Sequence, residues 1–591
     1  MATASTREKK VEAKILAEDP TQTTTPEQKA VNGSEAVILS LLAEGVETIF
    51  GYPGGAIMPI YDALYHYRDK INHILVRHEQ GAAHAAEGYA QMAGKPGVCF
   101  ATSGPGATNL VTGIADAMLD SVPIVCVTGQ VAEPFLGTDA FQETDVMSLA
   151  MPITKWCYQI ADPDEIPLIM AKAFFIARSG RPGPVLVDVT KDAQIKMCSK
   201  PFQYEYRRQI KGYKPASQPR DKDLLKAAEL INNAQRPFMF VGHGILISKA
   251  QEEVKAFAEK TGTPVASTLL GLSAFPTDHP QYVGMLGMHG NYGPNKLTNK
   301  ADVIIAVGMR FDDRVTGDLS TYAKQADVIH IDIDQAEIGK NVIPTVGMIA
   351  DAKQALQSLL PLLKENQHAE WRAKFDEFFA QEYEKVISKD FTAKGDNIKM
   401  GEVIRMLSEK TKGEAVIVAD VGQHQMAAAR YSKFKQTDSF LTSGGLGTMG
   451  YALPSAMGAK VGAPHRQVVA VIGDGCFQMT IQELGTIAQS KIPVKAIILN
   501  NSYLGMVRQW QQLFFDTRYS FVNMMNPDFI MVAKGFGVDG HKVTHYEALS
   551  EGLDKLLKSE EAYVLEVVVE KEANIFPMVP AGSSIDSIRL E

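Results

Sequence analysis

Two short motifs in the last third of the chain have the residue types and spacing to hold a hard cation and a diphosphate: Gly473-Asp474-Gly475 and Asn500-Asn501. Apolar runs at residues 468–472 and 494–499 lead straight into them, which places both at the carboxyl ends of expected strands. Ligands of open α/β sheets gather outside such ends. Glycines there let the backbone approach phosphate oxygens, and the helix that follows presents unpaired N–H groups. Magnesium prefers a near-octahedral shell of oxygens; the Asp474 carboxylate, the Asn501 amide oxygen and a nearby backbone carbonyl supply part of it and leave room for phosphate oxygens and water. Taken singly, each motif is an ordinary turn. Together, at this spacing and each after a strand, they point to one site.

Glu79 is a second candidate. It follows an expected strand at residues 74–76 and begins an alanine-rich helix, where Ala82, Ala83 and Ala86 can desolvate its carboxyl for proton sharing. The competing reading is a glutamate that favours the positive end of the helix dipole. His78 and His84 lie nearby but do not complete a His-Glu-x-x-His pattern, so neither is assigned a metal. Ser103 lacks the glycine two residues before it that a nucleophile elbow needs. Gly242-His243-Gly244 is half of a dinucleotide fingerprint and names no ligand alone.

These residues require a large α/β framework, and the composition supplies one. The 591 residues are 45% hydrophobic and 21% charged, which excludes disordered and fibrous classes. A net charge of -9 with scattered basic residues offers no polyanion-binding stripe, so nucleic acid is not expected as a partner. Five dispersed cysteines read as free thiols of a reducing compartment. With no run of ~18 apolar residues and no signal-peptide core, the expected location is cytoplasmic, without membrane contact.

Alternating apolar runs, Gly/Pro turns and helical stretches divide the chain into blocks at 31–205, 215–375 and 395–570, preceded by a flexible tail at 1–30 and followed by a Pro- and Gly-bearing tail at 571–591. Strands are expected at 48–50, 74–76, 98–101, 124–127 and 185–189; at 238–241, 265–267, 303–307 and 328–333; and at 416–419, 468–472, 494–499 and 564–569. A polar stretch at 213–220 reads as a linker. The predicted fold class is α/β: three doubly wound, mainly parallel-sheet domains in series.

Gly-Asp-Gly, an intervening stretch of this length and Asn-Asn are the signature shared by thiamine-diphosphate enzymes, and the chain resembles that superfamily over nearly its whole length. Within it, residues 50–56, 77–83, 103–109, 310–317 and 444–450 resemble the acetohydroxyacid synthase family (catalytic subunits). The resemblance implies pyrimidine-binding, FAD-binding and diphosphate-binding domains in that order, and thiamine diphosphate, Mg2+ and FAD as cofactors. It also implies a homodimer or homotetramer with interfacial active sites and, in some members, a small regulatory subunit. The implied reaction joins pyruvate to pyruvate or 2-ketobutyrate with loss of CO2. Its products, 2-acetolactate or 2-aceto-2-hydroxybutyrate, are the first common intermediates of valine, leucine and isoleucine synthesis.

On the resembling residues, Glu79 presses against the aminopyrimidine. Gln423, His424, Gly447, Cys476 and Met506 join Gly473, Asp474, Gly475 and Asn501 around the thiamine, Met449 is the wedge that bends it, and the Tyr503 carbonyl completes the metal shell. Arg314 receives the acceptor carboxylate, for which a planar guanidinium is suited. Trp510 favours the larger acceptor by ~1 kcal/mol per buried methylene; its bland alternative is a core tryptophan. Phe141, Gln142 and Lys191 belong to the substrate side. FAD contacts fall on Arg181, Gly244, Thr268 and Leu269, then on Leu286, Gly287, Met288 and His289. Further contacts fall on Gly308, Arg310, Asp312, Asp332, Ile333 and Asp351. The flavin is expected to be bound without net redox use. Ala132 and Thr190 depart from prolines common in the family and are expected to loosen a loop. The rivals are an FAD-dependent pyruvate oxidase and a catalytically silent, cofactor-binding paralogue; Glu79, Asp474 and Asn501 argue against the second.

Overall fold

The computed structural model describes residues 30–215 and 218–591. The expected N-terminal tail, apart from Ala30, lies outside the described residues, as do two positions of the expected linker. The described chain forms three six-stranded sheets in which every strand pair is parallel. The first contains β1 (Thr48–Gly51), β2 (Asn72–Leu75), β3 (Gly97–Ala101), β4 (Ile124–Gln130), β5 (Trp156–Ile160) and β6 (Val185–Thr190), in the order β2-β1-β3-β4-β6-β5. The second contains β7 (Pro237–Val241), β8 (Val265–Ser267), β9 (Tyr282–Met285), β10 (Val303–Val307), β11 (Asp327–Asp332) and β12 (Val346–Ile349), ordered β12-β11-β10-β7-β8-β9. The third contains β13 (Val416–Ala419), β14 (Phe440–Thr442), β15 (Val468–Gly473), β16 (Lys495–Asn500), β17 (Asp539–Val543) and β18 (Tyr563–Val568), ordered β14-β13-β15-β16-β18-β17.

The central strands are near-continuous apolar runs because helices cover both sheet faces. The order reverses between β1 and β3, between β7 and β10, and between β13 and β15, and each reversal opens a crevice at the strand ends.

The first and third domains share one apolar core, running from Phe50, Cys99 and Leu186 to Ala470 and Ile498. Its centre is the contact of helix Glu79–Ala93 with helix Ala452–Gly462. The former is capped by the His78 ring, which accepts from the Gln80 N–H, and is stopped by Gly94 in the left-handed region at φ 65°. Alanine and glycine let the two backbones touch. A Cβ on Gly458 would stand 1.8 Å from the Ala85 carbonyl oxygen, and one on Gly88 would stand 2.0 Å from that of Ser455. The middle domain has a core of its own. It is held to the third by a buried Arg430–Glu382 ion pair at 2.6 Å and by the C-terminal segment. There the Val579 N–H donates to the Met288 carbonyl at 2.8 Å, and Ile575, Met578 and Ile585 are buried.

Five strands were not foreseen: β5, β9, β12, β14 and β17. Each is a sheet edge. Four of them are only partly buried, with runs interrupted by polar residues in β5 and β17 and by a glycine in β9 and β12, and β14 is three residues long. No helix among the described residues is long and apolar enough to cross a membrane, and all five cysteines are free.

Gly458→Ala should force the paired helices apart and cost about 1–3 kcal/mol, as overpacking does; a lowered thermal unfolding midpoint checks this.

Candidate active site

β15 passes into helix Asp474–Met479 without an intervening turn, and Asp474 is its first residue. Only 2% exposed, the Asp474 carboxylate accepts Asn526 Nδ2 at 2.7 Å and the Gly475 N–H at 3.1 Å. Burial pushes its pKa above the usual carboxylate range, since the donors around it are neutral. Asn526 also donates to Asn500 Oδ1 at 2.9 Å and so ties the two motifs together. Asn501 Oδ1 accepts the Tyr503 N–H at 3.1 Å, and its Nδ2 donates to Gln423 Oε1 at 3.3 Å. A carboxylate, amide oxygens and the Tyr503 carbonyl at the ends of the adjacent strands β15 and β16 form a hard donor set that fits magnesium, whose charge would offset the burial of Asp474.

His424, on the first turn of helix Gln423–Tyr431, is buried, and its Nε2 has no partner. Desolvation holds its pKa down to about 3, so the ring is neutral. Gly422 and Gly473 make room for it, because a Cβ on either would come within 2.9 or 2.6 Å of the ring. A buried nitrogen left over in this way, beside a glycine-lined strand end, suits a phosphate ligand. The Cys476 thiol points to the Val421 carbonyl at 3.1 Å, and burial pushes its pKa up. Gln423 also donates to Gln509 and to the Ala573 carbonyl, both at 2.8 Å, so the C-terminal segment closes over this side.

Gly447 and Met449 sit in the loop between β14 and helix Ala452–Gly462. Asp420 organises that loop, accepting the Gly450 and Ala452 N–H groups at 2.9 Å each. Asp420 and Asn526 were missed in the sequence. Asp420 follows β13 without a flanking glycine, and Asn526 offers only an Asn-Pro turn signal.

A cavity of about 810 Å³ runs from the crevice of the middle sheet to this loop. At its third-domain end lie Gly447, Met449, Met506 and Trp510. Trp510 is half-buried beside Phe514 at 5.3 Å, so it is a cavity wall and not a core tryptophan. Arg314 lines the same space with a mostly exposed guanidinium, 3.5 Å from Asp313 and 3.8 Å from Met288 Sδ. The middle-domain end takes in Gly244, Thr268, Leu269, Gly308, Arg310 and Asp312. It continues along Leu286, Gly287, Met288 and His289 to Asp332, Ile333, Asp351 and the first domain's Arg181. Gly244 and Gly308 touch through their backbones, so neither admits a side chain. Asp332 ends β11, and burial pushes its pKa up to about 6. Arg181 is braced by Ser121 Oγ at 2.8 Å and by Asp334 and Glu337. A long cavity at the reversal of strand order, with glycine backbones, arginines and a strand-end acid, fits a dinucleotide.

Glu79, Phe141, Gln142 and Lys191 do not line this cavity. Glu79 is buried, with Oε2 accepting Asn109 Nδ2 at 2.9 Å, and Gly106 lies beside Oε1. Phe141 is 88% exposed, and Gln142 adopts φ 60° in the 131–145 loop. Lys191 is exposed at the start of helix Lys191–Ile195. Thr190, expected to loosen its loop, is buried and caps that helix by accepting the Ala193 N–H at 3.4 Å. Ala132 is half-buried and precedes a short 3-10 turn.

Three family models match the chain: the thiamine pyrophosphate enzyme N-terminal TPP binding domain over residues 31–149, the central domain over 224–359 and the C-terminal TPP binding domain over 420–567. Among curated proteins, the chain is 44% identical to the acetolactate synthase large subunit of Corynebacterium glutamicum, covering 95% of this chain and 90% of that one. It is 45% identical to the acetolactate synthase isozyme 2 large subunit of Escherichia coli, over 94% and 98%. It is 44% identical to the chloroplastic acetolactate synthase 2 of Nicotiana tabacum, over 95% and 85%. The chain belongs to the acetolactate synthase family of thiamine pyrophosphate enzymes.

Proposed function

We propose that this protein joins pyruvate to a second 2-ketoacid, pyruvate or 2-ketobutyrate, releasing CO2 and forming 2-acetolactate or 2-aceto-2-hydroxybutyrate for branched-chain amino acid synthesis. The carrying observation is the single cavity that brings Arg314 of the middle domain to Trp510, Met506 and Met449 of the third. Bound thiamine diphosphate supplies the carbon nucleophile. Asp474, Asn501 and the Tyr503 carbonyl would hold Mg2+, and His424 and the Gly473–Gly475 backbone would receive the diphosphate. Met449 would pack against the bound cofactor. Glu79 shares a proton at Oε1, the oxygen that Asn109 leaves free. Arg314 orients the acceptor carboxylate through its paired N–H groups, and Trp510 covers the acceptor's alkyl group. Phe141, Gln142 and Lys191 close the substrate side. FAD occupies the middle-domain part of the cavity and is not consumed.

Because Glu79, Phe141 and Gln142 stand apart from the cavity of their own chain, the site is read as completed between two copies, in a dimer or tetramer. Exposed Phe141 on the first domain and exposed Phe521 and Met525 on the third support such a contact. The naming of relatives as large subunits supports a smaller partner subunit as well. Five unbridged thiols agree with a cytoplasmic setting.

Purified protein supplied with pyruvate, Mg2+, thiamine diphosphate and FAD should yield acetolactate without oxygen uptake; oxygen-dependent acetate or acetyl phosphate would establish a pyruvate oxidase instead. Glu79→Gln should fold and lose ~100-fold or more in turnover, the scale of an acid–base contribution. Co-expression of Glu79→Gln with Asp474→Asn should restore activity, since a mixed dimer keeps one intact interfacial site; no restoration would place each site within one chain. Trp510→Ala should lower the preference for 2-ketobutyrate over pyruvate about 5-fold, matching ~1 kcal/mol for a buried methylene, as read by product ratio in a competition assay.

A further inference from the structure

Residues 119–121, at the end of helix Val111–Asp120, are where the three domains meet. Both Asp120 carboxylate oxygens accept backbone N–H groups of the third domain, from Gly444 and Gly445, each at 2.7 Å. The Asp120 carbonyl accepts His243 Nδ1 of the middle domain at 2.9 Å, and Ser121 Oγ accepts Arg181 Nε at 2.8 Å. One turn back, Asp116 Oδ1 accepts Ser443 Oγ at 2.6 Å, and Ser443 Oγ accepts the Thr448 N–H at 2.8 Å. Asp120 is 3% exposed yet borders the cavity and faces Arg310 and Arg181. A Cβ on Gly445 would stand 2.7 Å from Asp120 Oδ1 and 3.3 Å from Arg310 Nη2, so the loop lies directly on the middle-domain arginine. That loop carries Gly444, Gly445, Gly447 and Gly450, a composition with little conformational preference of its own. Its shape is therefore set by the groups that grip it.

We propose that Asp120 is a positioning residue that couples the two cofactor pockets: a flavin in the middle-domain cavity fixes the 119–121 corner, and the two bonds to Gly444 and Gly445 then hold the 443–449 loop ready for thiamine diphosphate. The inference rests on the flavin reading above. It gives a flavin with no net redox task an energetic one, because a ligand that orders a shared element lowers the ordering cost for the next. Asp116 acts beside it through Ser443, with His84 and Glu87 packed against Asp116 in the same buried cluster.

The test is binding, on the full-length protein stripped of cofactors. Affinity for thiamine diphosphate with Mg2+ is measured by tryptophan fluorescence with and without FAD, and affinity for FAD by flavin fluorescence with and without thiamine diphosphate. FAD should tighten thiamine diphosphate about 10-fold, within the usual range of coupling, and the reverse measurement must return the same factor. In Asp120→Asn, whose amide cannot accept both N–H groups, the two factors should fall to about one while both ligands still bind. Ser443→Ala should lower them partially, and it decides the matter where Asp120→Asn does not fold. Wild-type coupling retained in Ser443→Ala and in any folded Asp120→Asn overturns the inference. FAD binding with a wild-type factor of one overturns the coupling alone; failure of FAD to bind at all overturns the flavin reading with it.

Discussion

The structure depends on a backbone-to-backbone contact. Helix Glu79–Ala93 lies against helix Ala452–Gly462 so closely that the carbonyl oxygens of Ala85 and Ser455 occupy the space where Gly458 and Gly88 would carry a Cβ. Any larger residue there would separate the first and third sheets, which otherwise share one apolar core. Glu79 is the first residue of the former helix, and the loop carrying Gly447 and Met449 runs into the latter, so one packing event sets the positions of both.

Around that contact, buried polar groups are used as fixed acceptors. Asp420, Asp116 and Asp120 all turn carboxylate oxygens toward the backbone or hydroxyl of a single glycine-rich loop. Burial of such acids is costly unless their oxygens are satisfied; in Asp420 and Asp120 both oxygens are, and the bonds that satisfy them also deny the loop its freedom. His424 stands on the other side of the same principle. Its Nε2 is buried with no hydrogen-bond partner among the described residues.

The middle domain shares a smaller apolar contact with the third, through Leu272 and Met285, and is tied further by polar groups and by the C-terminal segment. The Arg430–Glu382 pair, the 119–121 corner and the C-terminal segment across Met288 join it to its neighbours. The cavity runs through this polar junction, where charged side chains can face a ligand and water can be displaced, and it could not run through the alanine-glycine contact.

Much of the framework was legible in residue order because central parallel strands, covered on both faces, must be apolar along their length: β8, β10 and β13 lie where their runs predict. The edge strands were not, since β5, β9, β12 and β17 are only partly buried and short, with polar residues in β5 and β17 and a glycine in β9 and β12. The same division holds for the site. Gly473, Asp474 and Asn501 could be placed at strand ends from sequence, because apolar runs lead straight into them and local chain chemistry imposes that. Asn526 bridging Asp474 to Asn500, Asp120 gripping a loop more than 300 residues away, and Trp510 as a wall of the cavity and not part of the core are products of packing between distant segments. The sequence by itself determined which atoms can bind; only the tertiary structure decided which of them face one another, because that depends on helix contacts whose partners are far apart in the chain.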